Sequence, residues 1–250
     1  MRLAVISDIH GNCVALDAVL ADVERHPVDG WVCLGDALQG GPQPLEVVER
    51  LETLGGPVIL GNADAFLLDA SVGEEEAAGT GREEQLRLVR DWTIDALGPR
   101  GVDAIRGFVP TAEIDLGAAG TLLAFHGGPD DYNHILWPET PTDELEATFA
   151  GHDASTFCGG HTHLQWTVRL GERTYFNPGS VGSGYNRHLG GEVSFHFDAF
   201  AAYAILSTLG AEVRLEFKRI PFDVDALDAA ARASGHPDGA AFAARYGPRR

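Results

Sequence analysis

Lysine is nearly absent from this chain of 250 residues, in which Lys218 is the one lysine among 18 basic residues. Acidic residues number 37, so the formal net charge at pH 7 is −19. A surface of this sign repels nucleic-acid phosphate and anionic lipid headgroups. The composition therefore excludes a nucleic-acid coat protein and a polybasic membrane tether. An anionic substrate would need a local source of positive charge.

Cysteine and long apolar runs are also scarce. The three cysteines are odd in number and lie in or beside apolar runs, which is typical of free buried thiols in a reducing compartment. The first apolar run reaches Asp8 too soon for a signal peptide, and no later run approaches the length of a membrane-spanning helix. We therefore expect a cytoplasmic protein without a membrane segment.

The composition is otherwise that of a globular protein, with 44% hydrophobic and 22% charged residues. We predict a single domain over residues 1–250. Its N-terminal part repeats one pattern three times: a short apolar run, a glycine-containing polar cluster and a helical pattern. The apolar runs lie at residues 3–6, 31–34 and 58–60. Three successive βα units indicate a parallel arrangement of strands.

The pattern changes after residue 70. Residues 71–82 combine glycines with an acidic run, and a helical pattern over 83–97 precedes Gly98-Pro99. We therefore predict a small helical cap insertion over residues 71–107. From residue 112 onward, short apolar runs indicate a second sheet. Residues 202–208 and 212–218 are predicted to form a closing hairpin, followed by a last helix at 223–233.

Residues of types that can bind metals follow the predicted strands, at the point where each strand ends. In an open α/β sheet the carboxyl ends of parallel strands meet at one edge, so loops distant in sequence converge there. Seven candidate ligands stand at such positions: Asp8, His10, Asp36, Asn62, His126, His161 and His163.

Taken singly, these residues have ordinary structural explanations. An aspartate or asparagine after a strand is usually a helix cap or turn residue, and an isolated histidine is usually a hydrogen-bonded structural group. The His161-Thr162-His163 segment is stronger evidence, because alternate residues of an extended chain point the same way. Four of the ten histidines fall at predicted strand ends. That coincidence favours a metal site.

Five motifs in this order resemble those of the calcineurin-like metallophosphoesterase superfamily. They are Asp8-Ile9-His10, Gly35-Asp36, Gly61-Asn62-Ala63-Asp64, His126-Gly127 and Gly160-His161-Thr162-His163. Residues 177–182 also resemble a segment found after the His-x-His motif in small prokaryotic members. The resemblance implies an α/β fold, a four-layer α/β/β/α sandwich of two mixed sheets with helices on both outer faces.

The resemblance also implies two divalent metal ions. One would be held by Asp8, His10, Asp36 and His163, and the other by Asp36, Asn62, His126 and His161, with Asp36 bridging both. Such ligands without a thiolate suit Mn²⁺, Fe, Zn²⁺, Co²⁺ or Ni²⁺, and we expect Mn²⁺. A hydroxide bound to the metals would attack phosphorus in line, so no covalent phospho-enzyme is needed.

One departure from the family pattern concerns catalysis. Many members have a histidine after Gly-Asn that helps to stabilise the transition state or protonate the leaving group, and this chain has Ala63 there. We expect a preference for leaving groups that need little protonation, such as aryl or pyrophosphate-type groups, or for substrates assisted from elsewhere, and this favours diesters. His134, in the loop at 129–141, and His188 with its neighbour Arg187 are the candidates to act instead.

The predicted function is hydrolysis of a phosphodiester or phosphomonoester bond in a small or nucleotide-like substrate. A dinucleoside polyphosphate hydrolase and a Ser/Thr phosphoprotein phosphatase would use the same metals, so both remain open. A non-catalytic scaffold with the same fold is a further alternative, although such proteins usually lose metal ligands. A nuclease would need a basic track that the net charge of −19 argues against. We expect a small phosphate ester as the binding partner. We do not expect the chain to coat nucleic acid or to bind a membrane.

Overall fold

The computed structural model describes residues 1–73, 83–185, 197–239 and 241–246. The strands are β1 (Arg2–Ile6), β2 (Gly30–Cys33), β3 (Ala112–Asp115), β4 (Thr121–Ala124), β5 (Thr156–Cys158), β6 (Gln165–Leu170), β7 (Arg173–Pro178), β8 (Phe200–Leu209) and β9 (Glu212–Pro221). The helices are α1 (Cys13–Arg25), α2 (Pro44–Leu54), α3 (Asn62–Leu68), α4 (Glu83–Arg106), α5 (Thr142–Phe149) and α6 (Val224–Ser234).

The first sheet has the order β2-β1-β8-β9. Strands β1 and β2 are parallel, whereas β8 runs antiparallel to β1 and to β9. The predicted closing hairpin therefore forms, and it extends the N-terminal sheet. Strand β1 is apolar after Arg2 because both of its faces are buried in the interior of the protein.

The second sheet has the order β3-β4-β5-β7-β6. Its three central strands are parallel, and the edge strands β3 and β6 are antiparallel to their neighbours. Parallel strands place their carboxyl ends at one edge of a sheet. The loops after β4 and β5 therefore come together.

Helices and sheets stack in four layers. Helices α1 and α2 pack on the outer face of the first sheet, an apolar core fills the space between the two sheets, and α5 covers the outer face of the second. This arrangement confirms the predicted α/β fold with two mixed sheets. In the described residues, no helix combines the length and apolar character needed to cross a membrane.

The third predicted N-terminal strand, at residues 58–60, is reduced to isolated bridges. Val58 bridges to Cys33 and Ile59 to Val109, both in parallel orientation. The segment is short because Pro57, which lacks a backbone N–H, precedes it and α3 begins at Asn62. A regular third parallel strand was therefore a wrong prediction, although the loop after residue 60 still reaches the sheet edge.

Helix α4 lies within the predicted cap insertion and packs against α2 and α3. Its first part ends at the predicted place, because Gly98 has a non-helical backbone with φ of 59°. After this kink the helix continues to Arg106. Residues 74–82 of the predicted cap lie outside the described residues, and the cap as a separate insertion stays a prediction.

Candidate metal centre

The seven predicted ligands lie together at the carboxyl ends of the strands. In the described residues, two groups have ligand atoms within 4.8 Å of one another: Asp8 with His10 and His163, and Asp36 with His126 and His161. Asn62 joins the second group, because its Oδ1 lies 2.9 Å from Nε2 of His126. The division matches the one that the family resemblance implied.

An unusual backbone conformation is shared by five of these residues. The non-glycine residues with positive φ in the described chain are Asp8, His10, Asp36, His161 and His163. This left-handed conformation costs an L-residue roughly 1–2 kcal/mol, so it persists only where surrounding contacts enforce it. Its confinement to candidate ligands marks the loops as a built site.

The first group is arranged around unpaired acceptor atoms. His10 and His163 each place Nδ1 against a backbone carbonyl, that of Gln39 at 2.8 Å and that of Ser183 at 2.6 Å. A carbonyl only accepts, so Nδ1 carries the hydrogen and Nε2 carries a lone pair. The two Nε2 atoms lie 3.2 Å apart, and Oδ1 of Asp8, 3.3 Å from Nε2 of His163, is buried without a hydrogen-bond partner of good geometry in the described residues. A cation satisfies all three atoms.

The second group is built in the same way. Nδ1 of His126 donates to the carbonyl of Leu34 at 2.8 Å, which leaves Nε2 facing Oδ2 of Asp36 at 3.3 Å. The same Oδ2 atom lies 3.9 Å from Nε2 of His10 in the first group. The ring of His161 stands edge-on to that of His126, with centroids 5.0 Å apart. Asp36 therefore lies between the groups, as a bridging carboxylate must.

The backbone fixes the two carboxylates in place. Oδ1 of Asp36 accepts from the N–H of Ala63 at 2.8 Å, and Oδ2 of Asp8 accepts from the N–H of His161 at 3.2 Å. A Cβ atom on Gly61 would overlap Oδ1 of Asp36. Glycine at position 61 lets the loop approach the bridging carboxylate closely.

The segment at 177–182 ties two ligand loops together. Asn177 donates its amide to the carbonyl of Gly160 at 2.5 Å, and the Ser180 hydroxyl donates to the carbonyl of Asp8 at 2.7 Å. The N–H of Gly182 donates to the same carbonyl of Asp8 at 3.0 Å. These bonds account for the resemblance noted in this segment, because they hold the first and last ligand motifs in register.

Burial and neighbouring charges shift the pKa values of the candidate ligands in different directions. Burial favours the neutral form of Asp36, but the imidazole of His126 outweighs it and holds the pKa of Asp36 well below its usual range. Burial likewise lowers the pKa of His126, but the carboxylate of Asp36 overcomes this effect and raises it to about 9. Burial and then the charge of His126 lower the pKa of His161 to about 4. Asp36 therefore stays anionic and His161 stays neutral, the forms that bind a cation, whereas His126 is protonated at neutral pH and must release its Nε2 proton when a cation binds.

Asp64 is a buried residue beside the candidate site to which the sequence reasoning gave no role. Its buried Oδ1 accepts from the N–H groups of Ala37 and Leu38, each at 3.1 Å, and so shapes the loop after Asp36. Burial and then the charge of Asp36 raise the pKa of Asp64 to about 7. Its place in the Gly61-Asn62-Ala63-Asp64 motif was the available signal. Its contacts with backbone groups leave no pattern in a sequence.

Of the other predicted catalytic residues, the structure describes His134 alone, and His134 is not in either group. His134 lies in the loop that folds over Gly127 and Gly128, and its Nε2 is buried without a hydrogen-bond partner in the described residues. Arg187 and His188 lie outside the described residues. A catalytic role for any of the three stays a prediction.

The residues present fit a pair of divalent ions. Carboxylate, carboxamide and imidazole donors without a thiolate form a set that suits first-row transition metals. A cation between Oδ1 of Asp8 and the Nε2 atoms of His10 and His163 would give these buried atoms a common partner that the described residues do not supply. Fold and site thus define a class of protein: an α/β sandwich whose strand-end loops carry two adjoining groups of candidate metal ligands.

Comparison with known proteins gives the family. Residues 1–195 match the calcineurin-like phosphoesterase superfamily domain, and the chain belongs to this family. It is similar to the symmetrical bis(5′-nucleosyl)-tetraphosphatase of Pectobacterium carotovorum, with 37% identity over 76 residues, which are 29% of this chain and 27% of that protein. The chain thus spans about a quarter of the length of the curated relatives it matches.

Two solved structures share the fold along the whole chain. A metallophosphoesterase from Sphaerobacter thermophilus is 24% identical, with a TM-score of 0.72 over 98% of this chain and 97% of that one. A hypothetical protein from Pyrococcus horikoshii OT3 is 18% identical, with a TM-score of 0.79 over 100% of this chain and 99% of that one. At these identities the likeness is one of fold.

Proposed function

We propose that this chain is a metal-dependent hydrolase that cleaves a phosphodiester bond in a small or nucleotide-like substrate. The observation that carries the proposal is the pair of ligand groups on either side of Asp36, whose Oδ2 atom faces Nε2 of His126 at 3.3 Å and Nε2 of His10 at 3.9 Å. Membership of the calcineurin-like phosphoesterase superfamily supports the same reaction class.

The ligands divide the work between them. Asp8, His10 and His163 would hold one ion, Asn62, His126 and His161 the other, and Asp36 both. Two divalent ions at such a centre supply an activated water and charge stabilisation for the phosphoryl oxygens. The protein contributes the position of each donor, since carbonyl contacts orient the rings of His10, His126 and His163 before any ion binds.

Two bound ions would also supply the local positive charge that an anionic substrate needs. The chain carries a net charge of −19, which repels a phosphate ester over most of the surface. Two divalent ions beside buried carboxylates create a local attractive centre. We propose Mn²⁺ as the cellular ion, while Fe, Zn²⁺, Co²⁺ and Ni²⁺ suit the same ligands.

Ala63 underlies the preference for diesters over monoesters. Its N–H donates to Asp36, but its methyl side chain offers no proton to a departing alkoxide. Leaving groups that are stable as anions, such as aryl oxides, need no such proton. We therefore propose faster turnover of activated diesters than of alkyl monoesters.

A dinucleoside polyphosphate hydrolase is the second candidate function. The relative from Pectobacterium carotovorum carries the name of a symmetrical bis(5′-nucleosyl)-tetraphosphatase, and the matched segment is 37% identical. A phosphate leaving group is stable as an anion, so this reaction is also compatible with Ala63. The match covers 27% of that protein, and we therefore rank this function second.

The proposal is tested by hydrolysis of bis(p-nitrophenyl) phosphate and p-nitrophenyl phosphate by protein stripped of metal and reloaded with Mn²⁺, Zn²⁺ or Ni²⁺. Asp36→Asn should reduce turnover by roughly 10³-fold or more, because it alters the carboxylate that both ions would share. Asp103→Asn, an exposed carboxylate on α4, is the matched control and should keep full activity. Equal turnover by both variants would contradict the proposal. A wild-type chain that binds no metal would favour the scaffold function.

A further inference from the structure

A groove of about 330 Å³ opens next to the metal centre and shares the ligand His163 with it. Ligand pockets for small molecules in proteins begin at about 300 Å³, so the groove has room for one small organic group. Its functional lining consists of His163, Gln165, Tyr185, Asp198, Phe200 and Arg219. None of these residues except His163 belongs to the seven predicted ligands.

Aromatic rings form the groove on two sides. The ring of Tyr185 stacks on that of His163, with centroids 4.6 Å apart and planes inclined by 11°. Phe200 is 42% exposed at the start of β8. The guanidinium of Arg219 lies 5.2 Å from the centre of its ring. A flat ring bound here would gain stacking and would cover an apolar surface that otherwise faces water.

The polar groups of the groove suit a ring that carries nitrogen or oxygen atoms. Arg219 donates to Asp198 at 2.5 Å, so a cation and a carboxylate stand together beside the exposed aromatic ring. This pair presents donors and acceptors at the edge of a bound ring. The Gln165 amide, by contrast, donates to the backbone carbonyls of Tyr203 and Lys218 and so links β6 to β8 and β9.

We propose that this groove binds a nucleobase, or a comparable heteroaromatic ring, that is esterified to the phosphate held at the metal centre. The inference rests on the proposed function and names its substrate class. Because His163 borders both the groove and the first ligand group, the ring and the phosphate of one substrate occupy adjoining spaces. The charges of Asp198 and Arg219 offset each other, so the pair offers no net positive charge to a second phosphate.

Binding of adenosine to the full chain tests the groove without any phosphate. Saturation-transfer NMR should show contact with the adenine protons in the wild type and a loss of at least fivefold in Phe200→Ala. Leu209→Ala is the matched control, because Leu209 is 59% exposed at the far end of the same strand. Adenosine binding that is unchanged in Phe200→Ala would overturn the inference.

Kinetics provide the second arm. For bis(p-nitrophenyl) phosphate, Phe200→Ala and Arg219→Gln should raise KM about tenfold and leave kcat within twofold, the loss expected for one stacking contact. Arg219→Gln also serves if Phe200→Ala fails to fold. Hydrolysis with unchanged KM in both variants would overturn the groove assignment and leave the proposed function standing. A wild type that binds adenosine but hydrolyses neither ester would overturn the proposed function. The groove could then no longer be assigned to the ring of a substrate.

Discussion

The strand-end loops and helix α4 are built on different principles. In the loops, five candidate ligand residues adopt a left-handed backbone, and a single bond to a backbone carbonyl orients each of the rings of His10, His126 and His163. Helix α4 is kinked at Gly98, and only a few of its residues are buried: Val89, Thr93, Leu97, Gly101 and Ile105. The loops therefore depend on exact residue types, whereas α4 depends mainly on helical pattern and a sparse apolar face. Substitutions in the two regions should have very different effects.

Among substitutions that leave every candidate ligand in place, the largest effect is expected for Gly61→Ala. The new Cβ would overlap Oδ1 of Asp36, so the bridging carboxylate must move. We expect at least a 100-fold loss of diester hydrolysis, because small displacements of catalytic groups cost this much. Turnover and metal stoichiometry should be measured beside Gly151→Ala, where a Cβ meets nothing within 4 Å. Full activity in Gly61→Ala would show that the close approach is unimportant.

Asp64→Ala should have the next largest effect. It leaves the buried N–H groups of Ala37 and Leu38 without their acceptor, at a cost of about 1–3 kcal/mol each. Asp64→Asn keeps an acceptor oxygen and removes the repulsion by Asp36, so its loss should be much smaller. Unfolding free energies of the two variants check this ordering. Equal losses would mean that the charge of Asp64, rather than its acceptor role, supports the loop.

Helix α1, which follows the first ligand loop, provides an intermediate case with a pH dependence. Burial raises the pKa of Asp22, but hydrogen bonds from Tyr203 and Arg25 outweigh it and hold the pKa below its usual value. The stabilisation is therefore complete above the ordinary aspartate pKa and is lost as the pH falls through the folded-state value. Asp22→Asn should cost about 1–2 kcal/mol at pH 7.

Thermal unfolding between pH 7 and pH 3 measures this effect. The difference in Tm between wild type and Asp22→Asn should be constant down to about pH 4 and narrow below it. A difference that widens as the pH falls would contradict the assignment.

The smallest effect is expected on α4. Leu88 is 51% exposed, so Leu88→Ser should change the unfolding free energy by less than about 0.5 kcal/mol and leave kinetics within twofold. Thermal unfolding and KM for the diester check both. A raised KM with normal stability would instead show that α4 meets the substrate, as the predicted cap over 71–107 allows.

The same contrast explains what the sequence could predict. The grouping of the candidate ligands Asp8, His10 and Asp36 could be predicted, because metal chemistry restricts residue type and the strand ends restrict position. The backbone carbonyls that accept from the histidine rings were not predicted, since any residue provides a carbonyl. They belong to Leu34, Gln39 and Ser183. The hairpin β8–β9 was predicted, but its pairing with β1 is a long-range choice that local pattern does not encode.

The prediction of a third N-terminal strand was wrong for a local reason. Residues 58–60 have strand-like composition, but Pro57 and the early start of α3 leave room only for isolated bridges. The groove beside His163 was missed because Tyr185, Phe200 and Arg219 are distant in sequence and share no motif. Such a site exists only after two sheets have packed together.

The central claim is that two ions share Asp36, and the electron paramagnetic resonance spectrum of the Mn²⁺-loaded protein tests it most directly. The account predicts two Mn²⁺ ions per chain with an exchange-coupled spectrum, because a bridging carboxylate holds ions about 3.5–4 Å apart. Asp36→Asn should abolish the coupling while Asp103→Asn retains it. A wild-type spectrum of isolated, uncoupled Mn²⁺ at any loading would contradict the claim.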